Sequence, residues 1–150
     1  MKGYRYRFEN VLSVREMEKS ETEIEYQTAT TDFERVATEL YDLLRKKEQT
    51  IEEQQTHMMK GATIIDINHY MHFIDSLEKK IEKVQQEVIR ARSKMQWLEQ
   101  KLLERTLEVR KFEKMKEKDR EKFKKEAEQI EAKQLDELSM TTFLGKENGW

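Results

Sequence analysis

His57, His69 and His72 are the side chains whose type and spacing first suggest chemistry in this sequence. His69 and His72 stand three apart, near neighbours on one helical face, and His57 lies on the other side of the chain's one candidate turn. A zinc centre draws on three or four converging nitrogen, sulfur or carboxylate donors. Two histidines on one helix and one beyond a turn do not by themselves make that set, so all three are read as surface histidines, with no metal and no other cofactor expected. The chain has no cysteine, which removes disulfides and thiolate chemistry and is compatible with a reducing compartment. Carboxylates are abundant, yet they fall on solvated faces without a cleft to raise a pKa, and neither a phosphate-binding glycine loop nor a nucleophile elbow is present. Met58, Met59, Met71 and Met95 are read as packing groups. No catalytic residue is expected, and the chain is read as a non-enzyme.

Charge offers a second kind of chemistry. With 29 basic and 31 acidic residues, the net charge of −2 gives no overall attraction to nucleic acid or to an acidic membrane. Locally the balance shifts. Arg110 to Lys125 holds nine bases and four acids, whereas Ser20 to Thr56 holds ten acids and four bases. Phe112 and Phe123 interleave the basic block and could stack on bases, so a nucleic-acid-binding helix is one alternative. Against it, Glu113, Glu117, Asp119 and Glu121 dilute the block and both phenylalanines sit at the spacing of a packed seam. No nucleic acid is expected as a partner.

The elements that would carry these residues follow from composition. Forty per cent of the chain is charged and 36% hydrophobic, against about 25% charged in an ordinary domain, so a compact core is not expected. There is no proline, and Gly61 is the sole glycine between Gly3 and Gly145. Long helix is therefore expected on either side of one break at Gly61, which can supply a left-handed cap, while Thr63 and Asp66 make a capping box for a second helix. No apolar run reaches the roughly 18 to 20 residues of a membrane span, and the amino end leads into polar helix, so a soluble cytoplasmic protein without membrane insertion is expected.

Heptad spacing defines the two arms. Phe8, Leu12, Arg15, Lys19, Thr22, Tyr26, Ala29, Phe33, Val36, Leu40, Leu43 and Lys47 form a seam in which the polar members Arg15, Lys19 and Thr22 fall together; beyond Lys47 the seam is taken to end. In the second arm Ile67, Tyr70, Ile74, Leu77, Ile81, Val84, Val88, Ala91, Met95, Leu98, Leu102, Arg105, Val109 and Phe112 include one charged residue, Arg105. The second seam is out of phase with the first, which a single straight helix would not produce. An antiparallel hairpin turning at residue 62 sets Phe33 beside Ala91, Ala29 beside Met95 and Leu12 beside Phe112, alternating large with small. It also brings Lys19 level with Arg105, with Glu23 and Glu108 as the acids within reach.

The expected fold is all-α: a long antiparallel two-helix coiled coil, or helical hairpin, with an overhanging C-terminal helix. It is read as one domain over residues 1–150, with helix over 4–58, a turn at 59–63, helix over 64–138 and a frayed tail over 139–150. Tyr41, Leu44, Ile51 and Phe73 are apolar but lie beside the seams, forming an exposed patch near the turn that could serve a partner. A self-associating structural scaffold built on parallel pairing is the other alternative.

Four stretches resemble the flagellar FliJ family, the coiled-coil component of the flagellar type III protein export apparatus. They are Phe8-Glu9-Asn10-Val11-Leu12 with Arg15 and Glu16, then Tyr70 to Glu78, then Lys111 to Lys118, and finally Gln134 to Leu138, in the family's order and spacing. The resemblance implies a hairpin similar to the central stalk of rotary ATP synthases, peripheral at the cytoplasmic face of the membrane at the flagellar basal body. It implies three partners: the hexameric flagellar export ATPase, whose assembly and activity it promotes, the cytoplasmic linker of the membrane export gate, and unloaded export chaperones. By motif position Tyr70, Phe73 and Leu77 would face the gate and Leu135, Asp136 and Glu137 the ATPase. Leu77 also lies on the seam, where it would support Phe73. Tyr41 and Leu44 join the candidate set from periodicity alone.

Overall fold

The computed structural model describes residues 3–147. Two α-helices account for nearly all of them, α1 over Glu9–Met59 and α2 over Ile64–Glu147, with no strand among the described residues. They pack antiparallel as a helical hairpin. Every member of both expected seams is buried or half-buried. The contacts group into two compact units, one of residues 3–19 with 105–147 and the other of Ser20–Glu104.

In the first unit the amino end departs from the expected helix. α1 starts at Glu9, not at residue 4, because the preceding residues lie outside the helix, turning at Arg7 and Phe8, and use Tyr4, Tyr6 and Phe8 to grip α2. Tyr6 is only 7% exposed, and its hydroxyl donates to the Phe112 carbonyl at 3.0 Å. The Tyr4 ring lies 5.3 Å from Phe123, with its hydroxyl 3.3 Å from both the Lys116 carbonyl and an Asp119 carboxylate oxygen. Phe8 meets Phe112 at 6.4 Å, and with Tyr6, Leu12 and Val109 these rings form a small core. Continuing the helix to Tyr4 would pull the phenols away from these acceptors, and burial of the rings outweighs the helical hydrogen bonds forgone.

α2 continues well beyond this core. Every side chain from 128 to 144 is exposed, so the overhang is bare helix. The helix runs through Glu147, past residue 139 where the tail was expected to begin. No glycine interrupts it before Gly145, and the Thr141 and Thr142 hydroxyls are satisfied within the helix by the Glu137 and Leu138 carbonyls, both at 2.9 Å. The tail residues 148–150 lie outside the described residues.

The second unit contains the turn. Gly61 has φ +95°, in the region that favours glycine, and its amide donates to the Met58 carbonyl at 3.2 Å. The expected capping box forms: the Thr63 amide donates to Asp66 Oδ2 at 3.3 Å and the Asp66 amide donates to Thr63 Oγ1 at 3.2 Å. Ala29, Val36, Leu77, Ile81, Val84 and Leu98 are buried, Leu98 at 1% exposure. The α1 seam does not stop at Lys47, since Thr50 is buried and Gln54 and His57 are half-buried at the same spacing. Polar residues are admitted there because the Thr50 hydroxyl donates to the Lys46 carbonyl at 2.7 Å and so needs no partner across the helices.

Candidate partner-binding surfaces

Near the turn, α1 and α2 leave a groove lined by Lys46, Gln49, Thr50, Glu53, His57, Asp66, His69, Tyr70 and Phe73. Phe73 stands at its end, 44% exposed, with the Lys46 ammonium 5.9 Å from its ring centre. That cation approaches the ring from α1, within cation–π range. Tyr70 is half-buried, its hydroxyl 3.3 Å from His57 Nδ1, and His57 Nε2 lies 3.6 Å from Asp66 Oδ2. The last turn of α1 is thereby tied to the first turns of α2. Asp66 is held below the usual carboxylate pKa by its hydrogen bonds to the Thr63 side chain and backbone, with His57 and His69 adding charge attraction. Although His57 and His69 share this groove, no three His, Asp or Glu side chains converge as metal ligands among the described residues.

The expected single patch divides in two. Tyr41, at 62% exposure, Leu44 and Ile51 line a different hollow with Arg45, Lys47 and Glu48, bordered by an ion pair from Lys47 to Glu78 at 3.3 Å. At 100° per residue, Leu44 and Ile51 fall on one side of Thr50, and Lys46, Gln49 and Glu53 fall on the other. The two sets therefore flank the seam oppositely. The same angles, applied to α1 alone, could have separated them.

Leu77 is 4% exposed, a seam residue packed beneath the neighbouring Phe73 turn. That burial accords with the seam position from which it would support Phe73. Leu135, Asp136 and Glu137 are all exposed on the overhang, with Leu138 and Phe143 nearby. Phe112 and Phe123 of the basic block pack on Phe8 and Tyr4, so they are not presented as a row for stacking on bases. Lys116 in that block donates to Glu9 at 2.9 Å, and this hydrogen bond raises its pKa.

The polar layer of the first unit has a regular construction that spacing alone did not reveal. Arg15 and Glu18 of α1 face Arg105 and Glu108 of α2, each helix contributing an Arg-x-x-Glu unit. Arg105 donates to Glu18 at 2.8 Å, Arg15 donates to Glu18 at 3.1 Å, and Arg15 Nε lies 3.7 Å from Glu108. Glu18, an acid outside the expected pair Glu23 and Glu108, receives Arg105. Neither Arg15 Nε nor Arg105 Nε, both sealed from water, has a hydrogen-bond partner.

Comparison with known proteins follows the same two helices. A solved structure described as a homolog of YscO, CT670 from Chlamydia trachomatis, superposes with a TM-score of 0.51 over 99% of this chain and 100% of that one. At 20% identity it supports the hairpin fold alone. The flagellar FliJ protein of Bacillus subtilis strain 168 is 34% identical over 142 residues, 95% of this chain and 97% of the relative. Residues 4–148 match the family model described as Flagellar FliJ protein, from the tyrosine strap through the turn to the end of the overhang, so this chain belongs to the flagellar FliJ family and is a non-enzymatic component of flagellar protein export.

Proposed function

We propose that the chain couples the flagellar export ATPase to the export gate, binding the ATPase hexamer through its open end and the cytoplasmic linker of the gate through its turn end. In this reading it promotes ATPase assembly and activity, handles unloaded export chaperones, and associates peripherally with the cytoplasmic face of the membrane at the basal body. No helix among the described residues is long and apolar enough to cross a membrane. The observation that carries the gate half of the proposal is Phe73, a large apolar side chain kept partly in solvent beside the turn with a lysine fixed over its ring. Burying such a ring against a partner gains apolar contact with little further ordering. Tyr70 and Lys46 belong to the same surface, and Tyr41 and Leu44 offer a second on the opposite flank. Leu135, Asp136 and Glu137 offer the corresponding exposed surface for the ATPase.

Two measurements test this reading. Addition of the chain raises the ATP hydrolysis rate of its cognate flagellar ATPase; no rise at any stoichiometry would count against the proposal. Phe73→Ala weakens binding to the gate linker and leaves helicity unchanged, whereas loss of helicity would make Phe73 a packing residue.

A further inference from the structure

We propose that the outward face of α2 in the second unit is a self-association surface, on which α2 of a second copy lies antiparallel while both hairpins stay closed. This rests on the pattern of that face and not on the export reading. Gln86, Ile89, Ser93, Gln96, Gln100 and Leu103 are spaced alternately three and four apart, all exposed and all uncharged. At 100° per residue they fall within an arc of about 100° on the side of α2 opposite its seam. The same spacing gives Lys79 and Glu82 before them and, past Leu107, Arg110 and Lys114, so the uncharged run is bounded at both ends. In a chain that is 40% charged, this is a second heptad stripe, and its Ile89 and Leu103 are each more than half exposed.

Charge selects the occupant. The flanks of the stripe carry Lys83, Arg90 and Arg92 toward its amino end and Glu99 and Glu104 toward its carboxyl end, all exposed and none in an ion pair among the described residues. Turned antiparallel about a two-fold axis between residues 94 and 95, two copies set Gln86 against Leu103, Ile89 against Gln100 and Ser93 against Gln96. The same operation brings Arg92 to Glu99, Lys83 to Glu104 and Arg90 to Trp97, each twice because the contact is symmetric. Trp97 is 62% exposed, and the Lys101 ammonium 5.1 Å from its ring centre shows that the ring accepts a cation. Other pairings bring like charges together. A slip of one heptad sets Glu99 against Glu99 in one direction and Arg92 against Arg92 in the other, and parallel pairing in register sets Glu99 beside Glu104. Seating α1 of a second copy there brings its acid-rich stretch, ten acids and four bases from Ser20 to Thr56, onto Glu99 and Glu104. Exposed pairs are individually weak, so they set orientation, and the short, half-polar stripe gives a contact of the small, reversible class.

Sedimentation velocity on the full chain from about 10 μM to about 1 mM reads the association, and cysteines introduced into this cysteine-free chain read its orientation. The parent passes from one-chain toward two-chain mass over that range. In an equal mixture of Ser93→Cys and Gln96→Cys chains, the mixed 93–96 disulfide exceeds both homodisulfides, as identified by peptide mass. Glu99→Arg sets cations together, lowers the association constant by about tenfold and keeps its helicity, and adding Arg92→Glu to it restores the parent value. Ile89→Gln with Leu103→Gln also weakens association without loss of helicity. A chain that keeps one-chain mass at every concentration overturns the proposal. So does a Glu99→Arg variant that associates more tightly, the result that parallel pairing or α1 on the stripe would give. Should the charge variants lose helicity, the disulfides decide alone: 93–93 and 96–96 products in excess of 93–96 refute the antiparallel contact.

Discussion

Replacing Gly61 by alanine isolates the backbone contribution to the turn. A Cβ built on Gly61 meets nothing within 4 Å, so any loss comes from φ +95° and not from a clash. An L-residue in the left-handed region is strained by about 1–2 kcal/mol. A less flexible unfolded chain offsets about 0.4–1 kcal/mol of that in favourable cases. The net expectation is a loss of about 1 kcal/mol, or a fall of about 0.5 M in the urea midpoint for a slope of about 2 kcal/mol per molar. Urea unfolding followed by far-ultraviolet circular dichroism measures the midpoint. Amide exchange supplies the location, because the Lys60 and Gly61 amides, bonded to the Thr56, His57 and Met58 carbonyls, exchange faster in the variant. Gly61→Asn retains more stability, since asparagine enters the left-handed region more readily. An alanine variant with an unchanged midpoint and unchanged exchange at both amides refutes the argument.

Leu98→Ala empties the most covered position of the second unit and lowers stability by about 2–3 kcal/mol, measured by the same urea titration. Asp66 contributes stability above the unfolded carboxylate pKa, and that contribution is lost as pH falls through its lowered folded value, so acid loosens the turn. In Asp66→Asn the acid dependence of exchange at the turn amides flattens over that window. Ending the chain after Ala127 removes side chains that are exposed from 128 to 144, and the denaturation midpoint of the remainder stays unchanged. A substantial drop in that midpoint would show that the overhang packs on something.

Both seams and the turn were legible in the sequence because each rests on a local rule: heptad spacing, one glycine in a proline-free chain, and Thr63 three residues before Asp66. Register was legible only approximately, since side-chain size constrains it loosely, and Phe112 meets the Phe8 ring as well as the small core around Leu12. The amino-terminal strap was missed, although Tyr4-Arg5-Tyr6-Arg7-Phe8 alternates aromatic with cationic residues, the period-two pattern of extended chain. Its residue types are equally compatible with helix, and the decisive phenol-to-carbonyl bonds join residues over a hundred positions apart. The buried Thr50 was missed because its hydroxyl is satisfied within its own helix, which apolar counting does not register. Phe73 and Tyr41 were readable as exposed, but their separation needed the angle around α1 as well as the spacing along it.

The bare end of α2 differs thermodynamically from the same residues cut free. Nucleating a helix is unfavourable, and isolated segments shorter than about 12 to 15 residues are marginal in water even with good sequences. Residues 128–147 inherit their nucleus from the packed turns of α2 before them, so each additional turn is propagation only. A partner that closes on Leu135 and its neighbours thus meets a preformed ligand and bears little of the ordering entropy. A synthetic peptide of residues 128–147 would have to be coiled into shape by the partner itself. It should therefore compete poorly with the intact chain even though every side chain it offers is the same.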